Sequence, residues 1–213
     1  TISNFVKNDL IKFTGVNPEK ITVTLESADE LPKGNEPVDE LIGKKFIMYI
    51  GRPTPHKNLR RLIDAFALLQ KKYPDLTLAL AGKKDSNYAR HETYVNEHGI
   101  KNVVFTGFIS DEQLRWMYEN TAVYCFPSLS EGFGLPGLEA MLHGAPVASS
   151  TATCLPETHG DAAHYFDPFS VEDIAKSIDD ILSDDKLRNE LVKKGKKHVK
   201  TFSWQRMAEQ TLA

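Results

Sequence analysis

Two positively charged residues lie in one short loop of this 213-residue sequence, in the segment GRPTPHKN at positions 51–58. Arg52 offers a planar fork of N–H donors and Lys57 a compact charge, and the amino end of a following helix would add positive potential. This combination favours a pyrophosphate ligand. The spacing also fits a second interpretation, in which both residues are ordinary solvated loop charges.

Two carboxylates, Glu131 and Glu139, lie eight positions apart in a second segment, PSLSEGFGLPGLEAM at 127–141. About two helical turns separate them, so both can face one cleft. The segment's glycines allow backbone N–H groups to approach a ligand, and carboxylates accept hydrogen bonds from the vicinal hydroxyls of a ribose or hexose. The alternative is a tight turn with its phenylalanine and leucine in the core and both glutamates on the surface.

Short apolar runs alternate with helix-like segments from residue 46 onward. They are too short for helices and predict strands at 46–50, 76–82, 103–107, 122–128 and 146–150. Asn58 is a candidate N-cap for a helix that ends near Tyr73 and Pro74, and Ser110 begins a capping box with Gln113. Further helices are predicted at 171–181, 184–199 and 204–212. Near the start, helical spacing over 1–13 precedes a strand-like alternation at 21–25 and a loop at 32–39.

This alternation of strands and helices predicts an α/β fold, a Rossmann-like, doubly wound and mostly parallel sheet. Ligands of such sheets bind beyond the carboxyl ends of the strands. Both candidate segments follow predicted strands and would therefore lie at that edge.

Composition excludes several classes of partner. The 26 basic and 29 acidic residues give a formal net charge of -3, too balanced to indicate nucleic-acid binding. Cys125 and Cys154 lack metal-ligand spacing and are interpreted as reduced thiols. The sequence shows no signal peptide and no 18-residue apolar run, so we expect a cytoplasmic location, with peripheral attachment at the inner membrane face left open.

The order of these motifs resembles the C-terminal domain of the family 4 glycosyltransferases (glycosyl transferases group 1). These are retaining enzymes of the GT-B fold that use nucleotide-diphosphate sugars. The resemblance covers nearly the whole chain. Glu131 and Glu139 match the Glu-x7-Glu signature, and Arg52 and Lys57 match the cations of the phosphate loop. VVFTGFIS, LPETHGDAAHYFDP and the FSW at 202–204 match as well.

The resemblance implies residue roles. Arg52 and Lys57 would neutralise the donor diphosphate as it leaves, Glu131 would contact the transferred sugar, and Glu139 would accept from the ribose hydroxyls. The nucleobase would lie near residues 104–108 and the turn at 82–83. No metal and no cofactor are implied. The implied catalytic residues are Arg52, Lys57 and Glu131, and the implied donor-binding residues are Gly51, Arg52, Lys57, Gly82, Glu131, Gly132, Phe133, Gly134, Leu135 and Glu139.

The resemblance also implies a domain organisation. Residues 1–213 would be the nucleotide-sugar donor-binding domain, the C-terminal half of a GT-B fold. Residues 1–20 would form an interdomain region, and the helix at 200–213 would return towards an N-terminal acceptor-binding domain that this sequence lacks. We therefore expect this fragment to be inactive alone.

The implied function is transfer of a hexosyl group with retention to a glycan or lipid-linked acceptor, in polysaccharide or glycolipid assembly. The amino-acid sequences of both loops resemble those of mannosyltransferases most, which favours mannose, with GDP-mannose as donor. Two alternatives stay open: a non-catalytic nucleotide-sugar-binding module, and a GT-B transferase that uses a UDP-sugar. Glu131 as a nucleophile or general base is less favoured than Glu131 as a sugar-binding group.

Overall fold

A single sheet of six parallel strands organises the chain, in the order β3-β2-β1-β4-β5-β6. The computed structural model describes residues 1–34 and 36–212, so Asn35 and Ala213 lie outside it, together with the predictions that fall on them. The doubly wound, Rossmann-like prediction is confirmed. The strands are β1 (Phe46–Ile50), β2 (Thr77–Ala81), β3 (Val103–Gly107), β4 (Val123–Phe126), β5 (Val147–Ser150) and β6 (Ala163–Phe166).

Helices cover both faces of this sheet. They are α1 (Asn4–Thr14), α2 (Leu59–Leu69), α3 (Ser86–Glu97), α4 (Asp111–Asn120), α5 (Leu135–Leu142), α6 (Leu155–His159), α7 (Val171–Ser183), α8 (Asp185–His198) and α9 (Trp204–Leu212). Short 3₁₀ turns connect several of them, at Pro18–Lys20, Asp39–Leu41, Pro55–Lys57, Gly160–Ala162 and Val199–Thr201. The helices predicted after residue 170 are confirmed, with their ends moved by one or two residues.

Burial on both faces explains why the central strands are continuous apolar runs. All five residues of β2 are buried, as expected of a parallel strand covered by helices on each side. The apolar stripe of α2, which includes Leu62, Ile63 and Phe66, packs with α7 on one face. On the other face α4 and α5 bury Met117, Leu138 and Met141. The capping box at Ser110 and Gln113 is confirmed, since each side chain bonds the other's backbone at 3.1 Å.

One local prediction is wrong and another is confirmed only in part. Residues 21–25 form no strand: among the described residues their backbone pairs with the backbone of Thr1 and Pro18 and not with a neighbouring strand. Asn58 does occupy the N-cap position of α2, but its backbone is left-handed (φ 60°, ψ 28°) and its side chain accepts no helix N–H. The strand β6 was not predicted separately, since its sequence AHYF places two half-exposed polar side chains among four residues.

Candidate functional site

The two candidate loops meet where the winding of the sheet reverses. Strands β1 and β4 pair at the centre, with Ile47 opposite Val123, and the chain leaves β1 towards β2 but leaves β4 towards β5. The connections diverge on either side of this pair, which opens a crevice beyond the carboxyl ends of β1 and β4. Loop 51–58 follows β1 and loop 127–134 follows β4, so both border the crevice.

The loop after β1 begins with a close approach of two backbones. Gly51 has φ +147° and donates its N–H to the carbonyl of Ala81 at 3.0 Å. Gly82, at the end of β2, has φ +151°, and a Cβ there would collide with the carbonyl oxygen of Gly51. The buried Tyr88 hydroxyl lies 3.0 Å from that same oxygen and 2.8 Å from the Ala81 carbonyl. Glycine is required at 82, and the predicted donor-binding residues Gly51 and Gly82 are neighbours in space.

An ion pair joins the two loops. Lys57 Nζ lies 2.6 Å from Glu131 Oε1, although the residues are 74 positions apart in sequence. Their side chains are only 20% and 13% exposed, so this is not an ordinary pair of solvated surface charges. Arg52, in contrast, is exposed, and its guanidinium makes no hydrogen bond or ion pair with the residues that the structure describes. Its charge is exposed to solvent, in the same loop as Lys57.

Asn58 also joins loop 51–58 to loop 127–134. Its buried amide Nδ2 donates to the carbonyls of Pro127 (3.0 Å) and Pro168 (2.8 Å), and its Oδ1 accepts from Arg61 at 2.9 Å. The backbone adds a further link, because the Leu129 N–H donates to the carbonyl of His56 at 2.7 Å. Sequence reasoning missed this role; the tolerance of asparagine for left-handed backbone was the available signal.

The glutamate loop is fixed from the side of β5. Thr153 Oγ1 accepts from the Glu131 N–H at 3.0 Å, and the Cys154 thiol lies 3.2 Å from the Glu131 carbonyl. Burial raises the pKa of the Cys154 thiol to about 11, so the thiol keeps its proton and can donate it to that carbonyl. The position of Glu131 is therefore set by its own backbone contacts as well as by Lys57.

The backbone N–H groups that follow Glu131 in sequence have no partner among the described residues. Within the described chain, no hydrogen bond uses the N–H groups of Gly132, Phe133, Gly134 or Leu135. Phe133 is nevertheless buried by its ring, 5.9 Å from the ring of Phe202. Gly134 has φ +101° and begins α5; a Cβ there would lie 2.7 Å from Leu155. The core interpretation is therefore confirmed for the side chain of Phe133, and the donor-binding role of these backbone groups stays a prediction.

A fully buried histidine supports this glycine turn. His159 Nε2 lies 3.2 Å from the Gly134 carbonyl, and Nδ1 lies 3.2 Å from Ser149 Oγ. Burial lowers the pKa of His159 to about 4, so the ring is neutral at pH 7. Because a carbonyl only accepts, the ring proton is on Nε2. The imidazole occupies the space where a Cβ at Gly137 would lie, which explains glycine inside α5.

Glu139 lies half-buried on α5 and is not paired with a cation among the described residues. Burial raises the pKa of its carboxyl group, while a hydrogen bond from the Tyr118 hydroxyl to Oε2, 3.2 Å long, acts in the opposite direction. With Glu131 also largely enclosed, the interpretation that placed both glutamates on the surface is wrong. The carboxylate of Glu139 keeps acceptor capacity for another ligand.

The predicted base-binding region lies at the same edge of the sheet. Residues 104–107 belong to β3, and Phe108 follows them with 84% of its surface exposed. Lys83 is exposed, and Lys84 lies 3.7 Å from Glu92 on α3. No direct contact joins this region to Glu131 in the part of the chain described, so its assignment to the nucleobase stays a prediction.

The described residues contain no group of three or more His, Cys, Asp or Glu side chains arranged to hold a metal ion. None of the helices formed by residues 1–34 and 36–212 has the length and apolar character needed to span a membrane.

The sheet order, the crevice and the ion pair across it define a doubly wound domain with its ligand edge at the β1–β4 junction. The chain belongs to the glycosyl transferases group 1 family, whose model matches residues 34–198. It is similar to O-antigen chain mannosyltransferase B of Escherichia coli, at 32% identity over 100% of this chain and 58% of that protein. It is also similar to the MMP alpha-(1->4)-mannosyltransferase of Mycolicibacterium hassiacum, at 31% identity over 100% of this chain and 52% of that protein.

The fold agrees with that membership. The structure of sucrose-phosphate synthase from Thermosynechococcus elongatus superposes with a TM-score of 0.84 and 25% identity, over 99% of this chain and 55% of that one. The structural neighbours are GT-B glycosyltransferases, so the predicted Rossmann-like half of a GT-B fold is confirmed. The chain spans only about half to three fifths of the length of these relatives.

Proposed function

We propose that this chain is the donor-binding domain of a retaining hexosyltransferase that transfers mannose from GDP-mannose to a glycan or lipid-linked acceptor. The observation that carries the proposal is the Lys57–Glu131 pair, which sets a cation and a carboxylate 2.6 Å apart across the sheet's crevice. A diphosphate sugar presents both partners that these groups need, anionic phosphate and neutral hydroxyls.

The cations suit the departing diphosphate. Lys57 is largely enclosed, so its charge acts through a medium less polarisable than water and stabilises developing negative charge strongly. Arg52 faces solvent and is free to close on a phosphate as a bidentate donor. The N–H groups of residues 132–135 are further donors beside them. Lys57 exchanges Glu131 for phosphate when the donor binds, and this exchange needs no metal and no cofactor.

The carboxylates suit the hydroxyls of the donor. Glu131, released from Lys57, accepts from the transferred hexose, and Glu139 accepts from the ribose. The first contact positions the sugar for retaining transfer, and the second selects a nucleotide. Arg52, Lys57 and Glu131 are thus the proposed catalytic residues.

Mannose is favoured by the two relatives described above, both named as mannosyltransferases. Guanine as the base is proposed from the resemblance of both loops to mannosyltransferases. A UDP-sugar-using transferase and a non-catalytic binding module are the competing outcomes.

The whole protein's organisation is also proposed. Relatives of nearly twice this length support an N-terminal acceptor-binding domain in the full enzyme. Residues 1–20 would lead from that domain, and their helix α1 is already fixed to the donor loop: the Ser3 hydroxyl donates to the Gly132 carbonyl at 2.7 Å. Glu157 accepts from the N–H groups of Asn4 (2.8 Å) and Phe5 (3.1 Å). The chain alone binds donor and transfers nothing.

Calorimetric titration with GDP, GDP-mannose, UDP and UDP-glucose tests the proposal. We expect the guanine ligands to bind, and Arg52→Ala and Glu139→Ala each to weaken them about tenfold or more, as expected for loss of a charge-assisted hydrogen bond. Arg188→Ala removes the same charge from α8, where Arg188 pairs with Asp185, and is the matched control.

Each other outcome has a defined meaning. Uridine ligands binding in preference to guanine ligands would indicate the UDP-sugar transferase. Binding that Arg52→Ala and Arg188→Ala weaken equally would contradict a diphosphate site at the crevice. A folded chain that binds none of the four ligands would refute the donor assignment for this chain.

A further inference from the structure

A tyrosine outside both candidate loops touches one of the site carboxylates. Tyr118 lies on α4, 21 positions before Glu139, and its hydroxyl is 3.2 Å from Glu139 Oε2. The ring is fully buried, and burial raises the pKa of the Tyr118 phenol well above its ordinary value. The hydroxyl therefore keeps its proton, and the carboxylate is the acceptor in this contact.

Packing holds this hydroxyl in place. The Tyr118 ring meets Tyr124 of β4 edge to face at 5.6 Å and stacks on His143 with only 4° between the ring planes, at 6.0 Å. His143 is itself bound, because its Nε2 accepts from the Leu31 N–H at 3.2 Å. The Pro136 carbonyl lies 3.4 Å from the Tyr118 hydroxyl and is the weaker of its two acceptors. A phenol enclosed in this way has little freedom to turn elsewhere.

Several features of the site disfavour ionisation of Glu139, and the hydrogen bond from Tyr118 opposes them. Its half-buried position disfavours the ionised carboxylate, and Asp111 and Asp29 add like charge. The Tyr118 hydrogen bond is the contribution that favours ionisation. It also uses one acceptor position on Oε2, so Oε1 keeps its acceptor capacity for a ligand.

We propose that Tyr118 is a positioning residue for the donor site, holding the Glu139 carboxylate ionised and oriented for the vicinal hydroxyls of a ribose. The inference rests on the proposed function, since it assumes that Glu139 accepts from the nucleotide. Tyr118 itself touches no substrate and acts through Glu139.

Tyr118→Phe removes the hydroxyl and keeps the ring. Tyr165, on the edge strand β6, donates its hydroxyl to the Gly160 carbonyl at 2.6 Å and contacts no site carboxylate, so Tyr165→Phe is the matched control for loss of a hydrogen-bonded tyrosine hydroxyl. Carbon-detected NMR titration of the Glu139 carboxyl group needs no ligand. We expect its pKa to rise in Tyr118→Phe and to stay at the wild-type value in Tyr165→Phe. Thermal unfolding establishes that both variants are folded.

The second readout compares the affinities for GDP and 2′,3′-dideoxy-GDP. We expect wild type to favour GDP, and Tyr118→Phe to reduce this preference about tenfold while the affinity for the dideoxy compound stays unchanged. General damage to the core would weaken both ligands alike. Tyr165→Phe should keep the full preference, and Glu139→Gln should lose it.

The outcomes separate the two levels of the argument. If Glu139→Gln abolishes the preference and Tyr118→Phe leaves it intact, the inference fails and the proposed role of Glu139 stands. If Glu139→Gln leaves the preference intact, Glu139 does not contact the ribose, and both fail. An unchanged carboxyl pKa in Tyr118→Phe overturns the positioning role whatever the ligands do.

Discussion

His159 makes the stability of the domain depend on pH within a defined window. The native ring is neutral with a pKa of about 4, whereas a histidine of the unfolded chain titrates near 6.5. Between these values the unfolded chain binds a proton that the native protein does not, so stability falls as pH decreases from about 6.5 to about 4. Each unit of difference in pKa corresponds to about 1.4 kcal/mol, so the titration of His159 alone lowers the free energy of unfolding by about 3 kcal/mol across this window.

His159→Gln isolates that contribution. Glutamine does not titrate, and its amide can still donate to the Gly134 carbonyl that His159 contacts. We expect urea unfolding of the wild type to lose about 3 kcal/mol more stability between pH 7 and pH 4 than the variant loses. The other ionisable groups, His91 and His143 among them, are the same in both proteins, so their contributions cancel in this comparison.

The same unfolding experiment can refute the claim that native His159 is neutral. Identical losses in the two proteins would show that His159 is protonated in the native state or reached by water, and that it does not support the glycine turn as a neutral donor. The variant's own stability at pH 7 is the control, because a collapse there would report poor packing rather than titration.

Three other substitutions test the construction of the crevice. Lys57→Met leaves an enclosed carboxylate without its cation and should lower the free energy of unfolding by about 1–3 kcal/mol in urea, whereas Lys176→Met, from an exposed pair, should change it far less. Asn58→Ala removes the donor of two buried carbonyls and should lower the free energy of unfolding by about 2–4 kcal/mol, measured in the same way. A loss no greater than that of an average alanine substitution at the surface would contradict the role of Asn58 in joining the two loops. Gly82→Ala forces a Cβ against the neighbouring loop and should lower the thermal midpoint more than Gly99→Ala, which has a left-handed backbone but open space; equal shifts would disprove the close approach.

Much of the fold could be predicted from short apolar runs. Strands β1, β2, β4 and β5 are buried along almost their whole length, so their sequences are mostly apolar runs that stand out from the helices. Edge strand β3 is half-buried, but its sequence VVFTG is still rich in β-branched and aromatic residues. Strand β6 lies at the sheet edge and carries His164 and Tyr165 half-exposed, which removes that signal. Residues 21–25 show the converse, since an alternating pattern reports a side-chain period and says nothing about whether a partner strand exists.

The candidate site was predictable to the level of its loops. Residue types and the strand-to-helix position placed Arg52, Lys57 and Glu131 at one edge, and the structure brings Lys57 and Glu131 into contact. The supporting contacts of Tyr118 and His159 were not predictable, because they depend on how α4 and α6 pack under the loops. These contacts join residues 21 and 25 positions apart, and no local pattern encodes them.

The sheet order also bears on how the protein reaches its folded state. The strands of the half β1, β2 and β3 and those of the half β4, β5 and β6 each pair with neighbours in sequence, and among the described residues β1–β4 is the strand pairing that joins the halves, with Ile47 opposite Val123. This pairing must close the chain between residues 47 and 123, and the entropic cost of closing that long segment slows the step. The pairing that completes the sheet is the one that creates the crevice, so we expect a folding intermediate with either half formed to be unable to bind a diphosphate, and ligand to act only after the two halves have met.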